Sequence, residues 1–387
     1  MHTIKDSIHQ DIEVTDFEVG LIDSPAVQRL RRIRQMGFAH LVYPCATHSR
    51  FEHSLGTMYL AGALSSNLGF DEKTRAELKV AGLLHDVGHF PFSHNSEVDN
   101  YIKEKLNLDH VDISAKLIKM YYKDAIEDAG LSQKNVVDMI RGRGKYGSIL
   151  SSGIDVDKMD YLVRDAYFTG TAYGLIDLSR LLCTTGFKKT LAFHIKGIRN
   201  IEAVIISRFM MYSTVYFHRT IKIAGAMFGR AVTRAFDDGS IDVHEYIRMD
   251  DFDLVSSLRR NRSYLAECLD KRRLYKLGAC LSVNDLSEKE ISKCVALKSR
   301  ALKDIEQDME KRLGVARGTL IIDIAPKKTL EPIKMIDGAK LLNLEEISEF
   351  SRSVMNQEWQ NWNIQFLAPQ KYRKKIGGAS KLFGEYV

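Results

Sequence analysis

Apolar residues recur at helical spacing along most of the chain and alternate as in strands only in short stretches, which predicts a mainly α fold. Residues 1–22 read as short extended pieces. Ser24-Pro25 supplies an N-cap and a first helical position, Val27, Leu30, Ile33 and Met36 mark a buried stripe, and Gly37 ends a helix predicted over 25–36. A helix rich in Ala, Leu and Gly follows from about His53 to Leu68, and another runs from Lys73 to Val87, stopped by Gly88 and Pro91. Asp109-His110 opens a further helix. Asp157, Tyr161 and Asp165 fall at i, i+4 and i+8 of one more helix, and residues 186–196 alternate as a hairpin. Helices resume near Asn200, where Met211–Arg219 forms an aromatic-rich stripe that reads as core packing or a subunit contact. Beyond about residue 250 the texture changes to charged helices over 253–277 and 287–313 and buried strands over 319–324 and 363–367. The expectation is a core of residues 1–250 and a smaller α+β module of residues 251–387.

Composition adds exclusions. With 387 residues, 45% hydrophobic and 27% charged, the chain can bury an ample core. No apolar run approaches the ~20 residues of a membrane span, and Met1–Asp6 lacks a secretory pattern, so no membrane partner and a cytoplasmic location are expected. Cys45, Cys183, Cys268, Cys280 and Cys294 are dispersed and read as thiols in a reducing compartment. The net charge of +6 is mild, but basic residues cluster, as at Arg29/Arg31/Arg32/Arg34. Such a cluster is a solvated face or a phosphate-binding one, and charge alone does not separate the two.

The densest chemistry lies in Leu83–His94, where an apolar helical run ends in His85, Asp86, His89 and His94. Titratable groups among Leu, Val and Phe cost folding free energy unless a metal, substrate or hydrogen-bond partner compensates. Taken alone, the His85-Asp86 pair reads more readily as a core histidine with a satisfied hydrogen bond and a surface aspartate at a helix C-terminus. Two helices packed through small residues, however, bring His53 and His85 within reach of one ion. The segment carrying Asp157 is too apolar, through Ile154, Val156, Met159, Leu162 and Val163, to be a solvated face, and Asp157 is a natural fourth ligand. Two imidazoles with Asp86 and Asp157 form a mixed N/O set suited to Mn, Fe, Mg, Zn or Ni.

His53, His85-Asp86 and Asp157, in that order, resemble the H…HD…D signature of the HD-domain phosphohydrolase superfamily. The surrounding runs Arg50–Gly56, His85–His94 and Ile154–Tyr161 are similar to those of the deoxynucleoside triphosphate triphosphohydrolases, the dGTPase-like enzymes and the HD core of the SAM-and-HD-domain enzymes among them. The similarity spans roughly residues 5–225. It implies an HD-domain helical core that binds one divalent metal through His53, His85, Asp86 and Asp157. It further implies that Arg50, Lys158 and His94 contact a triphosphate, that Tyr161 packs on the sugar, and that Gln35 and Asp165 hydrogen-bond the 3′-hydroxyl. His89, Glu97 and His110 would handle protons beside the α-phosphate, Glu97 standing where the family usually carries Asp. Asp23, Gln28 and Arg31 match residues that read a guanine in an activating site between subunits. Lys5 falls where that pocket often has Asn, and Thr214 where some relatives carry a phosphate-binding Arg.

The resemblance implies a hydrolase that converts a dNTP, dGTP foremost, to deoxynucleoside and inorganic triphosphate. A guanine nucleotide activator, a dimer or tetramer, and nucleic acid as a secondary partner follow as further expectations. The alternatives are another HD phosphohydrolase acting on nucleoside mono- or diphosphates or guanosine tetraphosphate, and a non-catalytic nucleotide- or nucleic-acid-binding protein.

Overall fold

Helical periodicity prevails in three dimensions. The structure, a computed structural model, describes residues 1–92, 95–174, 176–326 and 331–387, and at residues 358 and 359 the backbone alone. The fold is mainly α with small sheets, as the stripes require. None of the described helices is long and apolar enough to cross a membrane.

The chain opens with an antiparallel hairpin, His2–Asp6 against Gln10–Val14. The extended reading of residues 1–22 fails after Val14, because Asp16–Ile22 is a helix. Its signal was present in Thr15-x-x-Glu18, whose side chains cap one another's backbone N–H groups. The helix from Pro25 is shorter than predicted, ending at Arg29 and tightening into a 3₁₀ turn over Leu30–Arg32. Beyond it the backbone finds partners outside any helix: Arg34 N–H donates to Asp251 at 3.0 Å and Gln35 N–H to the His48 carbonyl at 3.0 Å. Val27, Leu30 and Ile33 are nonetheless fully buried.

Helices Arg50–Asn67 and Glu72–Leu84 form a hairpin, the first opened by a Ser49/Glu52 capping box and the second capped by Asp71. Gly82 sets their separation, since a Cβ there would lie 2.9 Å from the Thr57 carbonyl and 3.0 Å from the Met58 backbone. Helix Val156–Thr169 crosses the first of the pair at Gly56, where a Cβ would sit 1.9 Å from an Asp160 carboxylate oxygen. Helix His110–Leu117, capped by Asp109, packs against Gly88, whose absent side chain admits the Ser114 backbone. Glycine thus brings four site-bearing segments together.

The hairpin at 186–196 is present as Thr185–Lys188 and Thr190–His194. Helix Ile198–Met211 continues as a wider turn over Tyr212–Tyr216, and helix Arg219–Asp237 follows. The helix expected over 253–277 divides into Asp251–Arg260 and Tyr264–Asp270 at Arg262 (φ 52°), and its end, Lys276–Ser282, is a strand. The helix expected over 287–313 likewise divides, into Glu288–Val295 and Ser299–Leu313. Strands Ile321–Ile324 and Asn363–Ala368 stand where alternation and proline placed them, and the latter is central, with Lys276–Ser282 on its other side. A further hairpin, Lys334–Asp337 with Lys340–Asn343, joins Thr190–His194 in parallel, Phe193 opposite Met335. Ile333, Met335 and Leu344 accordingly lie in the same buried core as Met58, Leu83 and Leu162.

Candidate active site

Three side chains from separate helices converge. A ring nitrogen each of His53 and His85 and a carboxylate oxygen of Asp157 all lie within 4.8 Å of one another. His53 stands in the first turn of Arg50–Asn67, His85 caps the end of Glu72–Leu84, and Asp157 lies in the first turn of Val156–Thr169. Asp86 flanks the group, one carboxylate oxygen 3.2 Å from His85 Nε2 and the other 3.9 Å from His53 Nε2.

The surrounding hydrogen bonds orient both imidazoles as ligands. His85 Nδ1–H donates to the Gly82 carbonyl at 2.7 Å, which leaves the Nε2 lone pair facing the cluster, buried and without a hydrogen bond. His53 Nδ1 donates to Asp160 at 2.8 Å and its Nε2 faces Asp157 at 3.0 Å. Burial acts to lower the His53 pKa, but its hydrogen bonds with Asp157 and Asp160 and their charges outweigh this and raise it to about 10. Burial alone would raise Asp157, yet the hydrogen bond from His53 and the charges of His53, His85 and Lys158 hold it at about 2. Burial would likewise raise Asp86, and the imidazoles of His85 and His89 and the Arg50 guanidinium instead keep it well below the usual range. A divalent cation taking the place of the His53 Nε2 proton would meet two imidazole nitrogens and ionised carboxylates, a donor set that fits it.

The cluster opens into a cavity of about 850 Å³, within the roughly 300–1,000 Å³ typical of small-molecule sites. Of the substrate-contacting residues expected from the sequence, Gln35, Arg50, Lys158, Tyr161 and Asp165 line it, as do His89 and His110. Arg50 donates to Asp86 at 2.6 Å, and Lys158 reaches Asp155 at 2.7 Å. Burial lowers the His89 imidazole well below its ordinary range, with the Arg50 charge acting in the same sense, so it is neutral near pH 7. Its ring stacks on that of His110 at 4.0 Å. Asp165 accepts from Tyr216 Oη at 2.6 Å and faces His48 Nε2 at 2.8 Å.

Two assignments need revision or fall outside the structure. Glu97 was expected to handle protons together with His89 and His110, but it does not line the cavity and its carboxylate takes Arg230 Nε and Thr233 Oγ1, each at 2.8 Å. Arg230 is buried and carries a full charge, so it claims the nearest acids, Glu97 and Glu306. His94 lies outside the described residues. Asp23, Gln28 and Arg31 sit on the outer surface away from the cavity lining, with Arg31 Nε donating to Gln28 at 2.9 Å and the Arg31 guanidinium over the Phe51 ring.

Other site residues escaped the sequence reading. Asp160 orients His53 while binding Arg164 through both oxygens and His9 at 2.7 Å, and Arg164 in turn grips Asp6. Its position three residues after Asp157 was a usable sign, whereas nothing near His9 announced a role. Arg29, read with a surface cluster, turns inward and donates to the carbonyls of His89 and Met249, pinning the loop after Asp86. Tyr212, Tyr216 and Phe217, assigned to core packing or a subunit contact, line the cavity.

Comparison with known proteins accords with this geometry. Residues 50–165 match the HD domain family and residues 176–383 the HD-associated region family. An uncharacterized protein of Methanocaldococcus jannaschii is 38% identical over 97% of this chain and 81% of its own length. A Dictyostelium discoideum protein named deoxynucleoside triphosphate triphosphohydrolase SAMHD1 homolog is 33% identical over 70% of this chain, which spans 56% of that relative. Among solved structures, a hypothetical protein from Aquifex aeolicus superposes with a TM-score of 0.77 at 26% identity, over 97% of this chain and 99% of its own.

Proposed function

This chain belongs to the HD-domain phosphohydrolase superfamily, and from that premise we propose that it hydrolyses deoxynucleoside triphosphates, dGTP foremost, to deoxynucleoside and inorganic triphosphate. The observation that carries the reading is the placement of the His53–His85–Asp157 cluster in the wall of a nucleotide-sized cavity. Cationic side chains, Arg50 and Lys158, flank the cluster, and the aromatic and acidic residues Tyr161, Tyr216 and Asp165 line the same cavity. Cations for a triphosphate and aromatic and acidic groups for a sugar thus share one cavity. The relative named for this activity supports the same substrate class.

A divalent ion held by His53, His85 and Asp157, with Asp86 alongside, would supply Lewis-acid polarisation of a phosphoryl oxygen. The remaining work falls to this chain's own side chains. Arg50 and Lys158 neutralise the triphosphate, Lys158 staying protonated because Asp155 and Asp157 outweigh its burial. Tyr161 packs on the sugar, and Asp165, fixed by His48 and Tyr216, accepts from the 3′-hydroxyl together with Gln35. Water adds to the α-phosphorus, the bond to the 5′-oxygen breaks, and His110 delivers a proton to that oxygen. Burial lowers the His110 pKa, and the negative charge of a bound triphosphate acts in the opposite sense. General-acid catalysis of this kind contributes about 10²–10⁴-fold. The surface patch of Asp23, Gln28 and Arg31 is proposed as a guanine nucleotide activator site in a dimer or tetramer.

Chromatography of products from dGTP with Mn²⁺ or Mg²⁺ tests the reading. Deoxyguanosine with inorganic triphosphate, lost in Asp157→Ala, is expected. Formation of dGMP with pyrophosphate, or of dGDP with phosphate, would refute cleavage at the proposed bond.

A further inference from the structure

Lys222 and Asp323 line the cavity but have no part in the chemistry above. Lys222 lies in the first turn of helix Arg219–Asp237, one turn beyond Tyr216 and Phe217, and Asp323 on strand Ile321–Ile324 of the C-terminal region. The Lys222 ammonium is 2.7 Å from Asp323 Oδ2, with side chains only 16% and 10% exposed. Even so, Asp323 Oδ2 makes no hydrogen bond of acceptable alignment. The ammonium neutralises Asp323 without saturating its two oxygens, whose remaining lone pairs can accept from a ligand in the cavity.

The charges say which part of a nucleotide belongs here. A carboxylate 2.7 Å from Lys222 cancels its charge and repels phosphate, so the pair is ill suited to the triphosphate. It presents a donor beside an acceptor with two lone-pair-bearing oxygens, the complement of a base edge. Guanine offers an acceptor, O6, next to two adjacent donors, N1–H and the 2-amino group. Adenine, cytosine and thymine each match the pair through only one donor and one acceptor.

We propose that Lys222 and Asp323 are specificity-determining residues that read a guanine base, Lys222 donating to O6 and Asp323 accepting from N1–H and the 2-amino group. This inference rests on the reading that a deoxynucleotide fills the cavity, but its test does not depend on turnover. Calorimetric binding of dGTP and dITP, which differ only in the 2-amino group, is compared with divalent metal chelated. The native chain is expected to favour dGTP by about tenfold or more, the scale of one hydrogen bond to a charged group. Asp323→Ala is expected to bring the ratio close to one, and Lys222→Met to weaken both ligands alike while preserving the ratio. The Lys222 arm stands even if the Asp323 variant fails to fold. A native ratio near one, a ratio preserved in a folded Asp323→Ala protein, or a ratio lost in Lys222→Met would overturn the proposal. Product analysis with dGTP separately reports whether the hydrolytic reading holds.

Discussion

Asp160 illustrates how much of a site lies behind its ligands. It touches no expected substrate, yet its carboxylate holds the His53 ring, and burial, which would raise it, is outweighed by Arg164, His53 and His9 so that it stays ionised. Groups that orient a ligating imidazole typically govern metal affinity or activity by about 10–100-fold. Asp160→Asn should therefore weaken Mn²⁺ binding by about that factor in a metal titration, and unchanged affinity would remove Asp160 from the site. Asp251 carries a different message. It accepts from the N–H groups of Arg34 and Phe92, and burial raises its carboxyl to about 6. The folded state therefore holds this proton up to a higher pH than the unfolded chain, whose Asp titrates near ~3.9. Its stabilising contribution is full below about pH 4 and declines as pH rises through about 6. The difference in thermal midpoint between the native chain and Asp251→Ala should shrink from pH 4 to pH 6, and a widening difference would contradict the assignment.

At the scale of elements, glycine decides the geometry. Gly82→Ala places a methyl group 2.9 Å from the Thr57 carbonyl, so helix Glu72–Leu84 must move away from Arg50–Asn67 and carry His85 from His53. Overpacking of this kind costs about 1–3 kcal/mol, more than the gain of up to ~1 kcal/mol in helix propensity. A lowered thermal midpoint together with weaker Mn²⁺ binding is expected, and a variant as stable as the native chain would show that the contact is not tight. These helices were legible because their stripes, caps and Gly/Pro stops agree, and His53, His85 and Asp157 because they stand at the ends of such helices. The breaks at Ile33 and Arg262 were not, since they depend on distant backbone partners or a positive φ that no local pattern announces. Glu97 was placed in the proton-handling group for a related reason. Spacing brought Glu97 near the site, but the buried Arg230, more than 130 residues away, decides where that carboxylate points.

For the whole molecule, the sequence suggests a division near residue 250, yet the chain interlocks across that point. Lys334–Asp337 adds a strand to the hairpin at Thr185–His194, Ser348 Oγ donates to Glu202 at 2.7 Å, and Arg230 ties Glu97 to Glu306. The Lys222–Asp323 contact brings the same later region to the cavity wall. Breaking a buried ion network by removing one partner costs about 3–5 kcal/mol, because the other charges stay buried. Arg230→Ala should therefore lower stability by that order in denaturant unfolding, through a single transition that reports both regions at once. Two separated transitions in the native chain would instead mean that the regions fold independently.

Hydrolysis at the α-phosphorus, proposed beside the His53–His85–Asp157 cluster, leaves an isotopic signature. Hydrolysis of dGTP by the Mn²⁺-loaded chain in ¹⁸O-water, followed by mass spectrometry, tests it most directly. Unlabelled deoxyguanosine and inorganic triphosphate carrying one ¹⁸O are expected. Label in deoxyguanosine, release of dGMP, or no turnover of any dNTP, alone or with added GTP, by a folded and metal-loaded protein would contradict it.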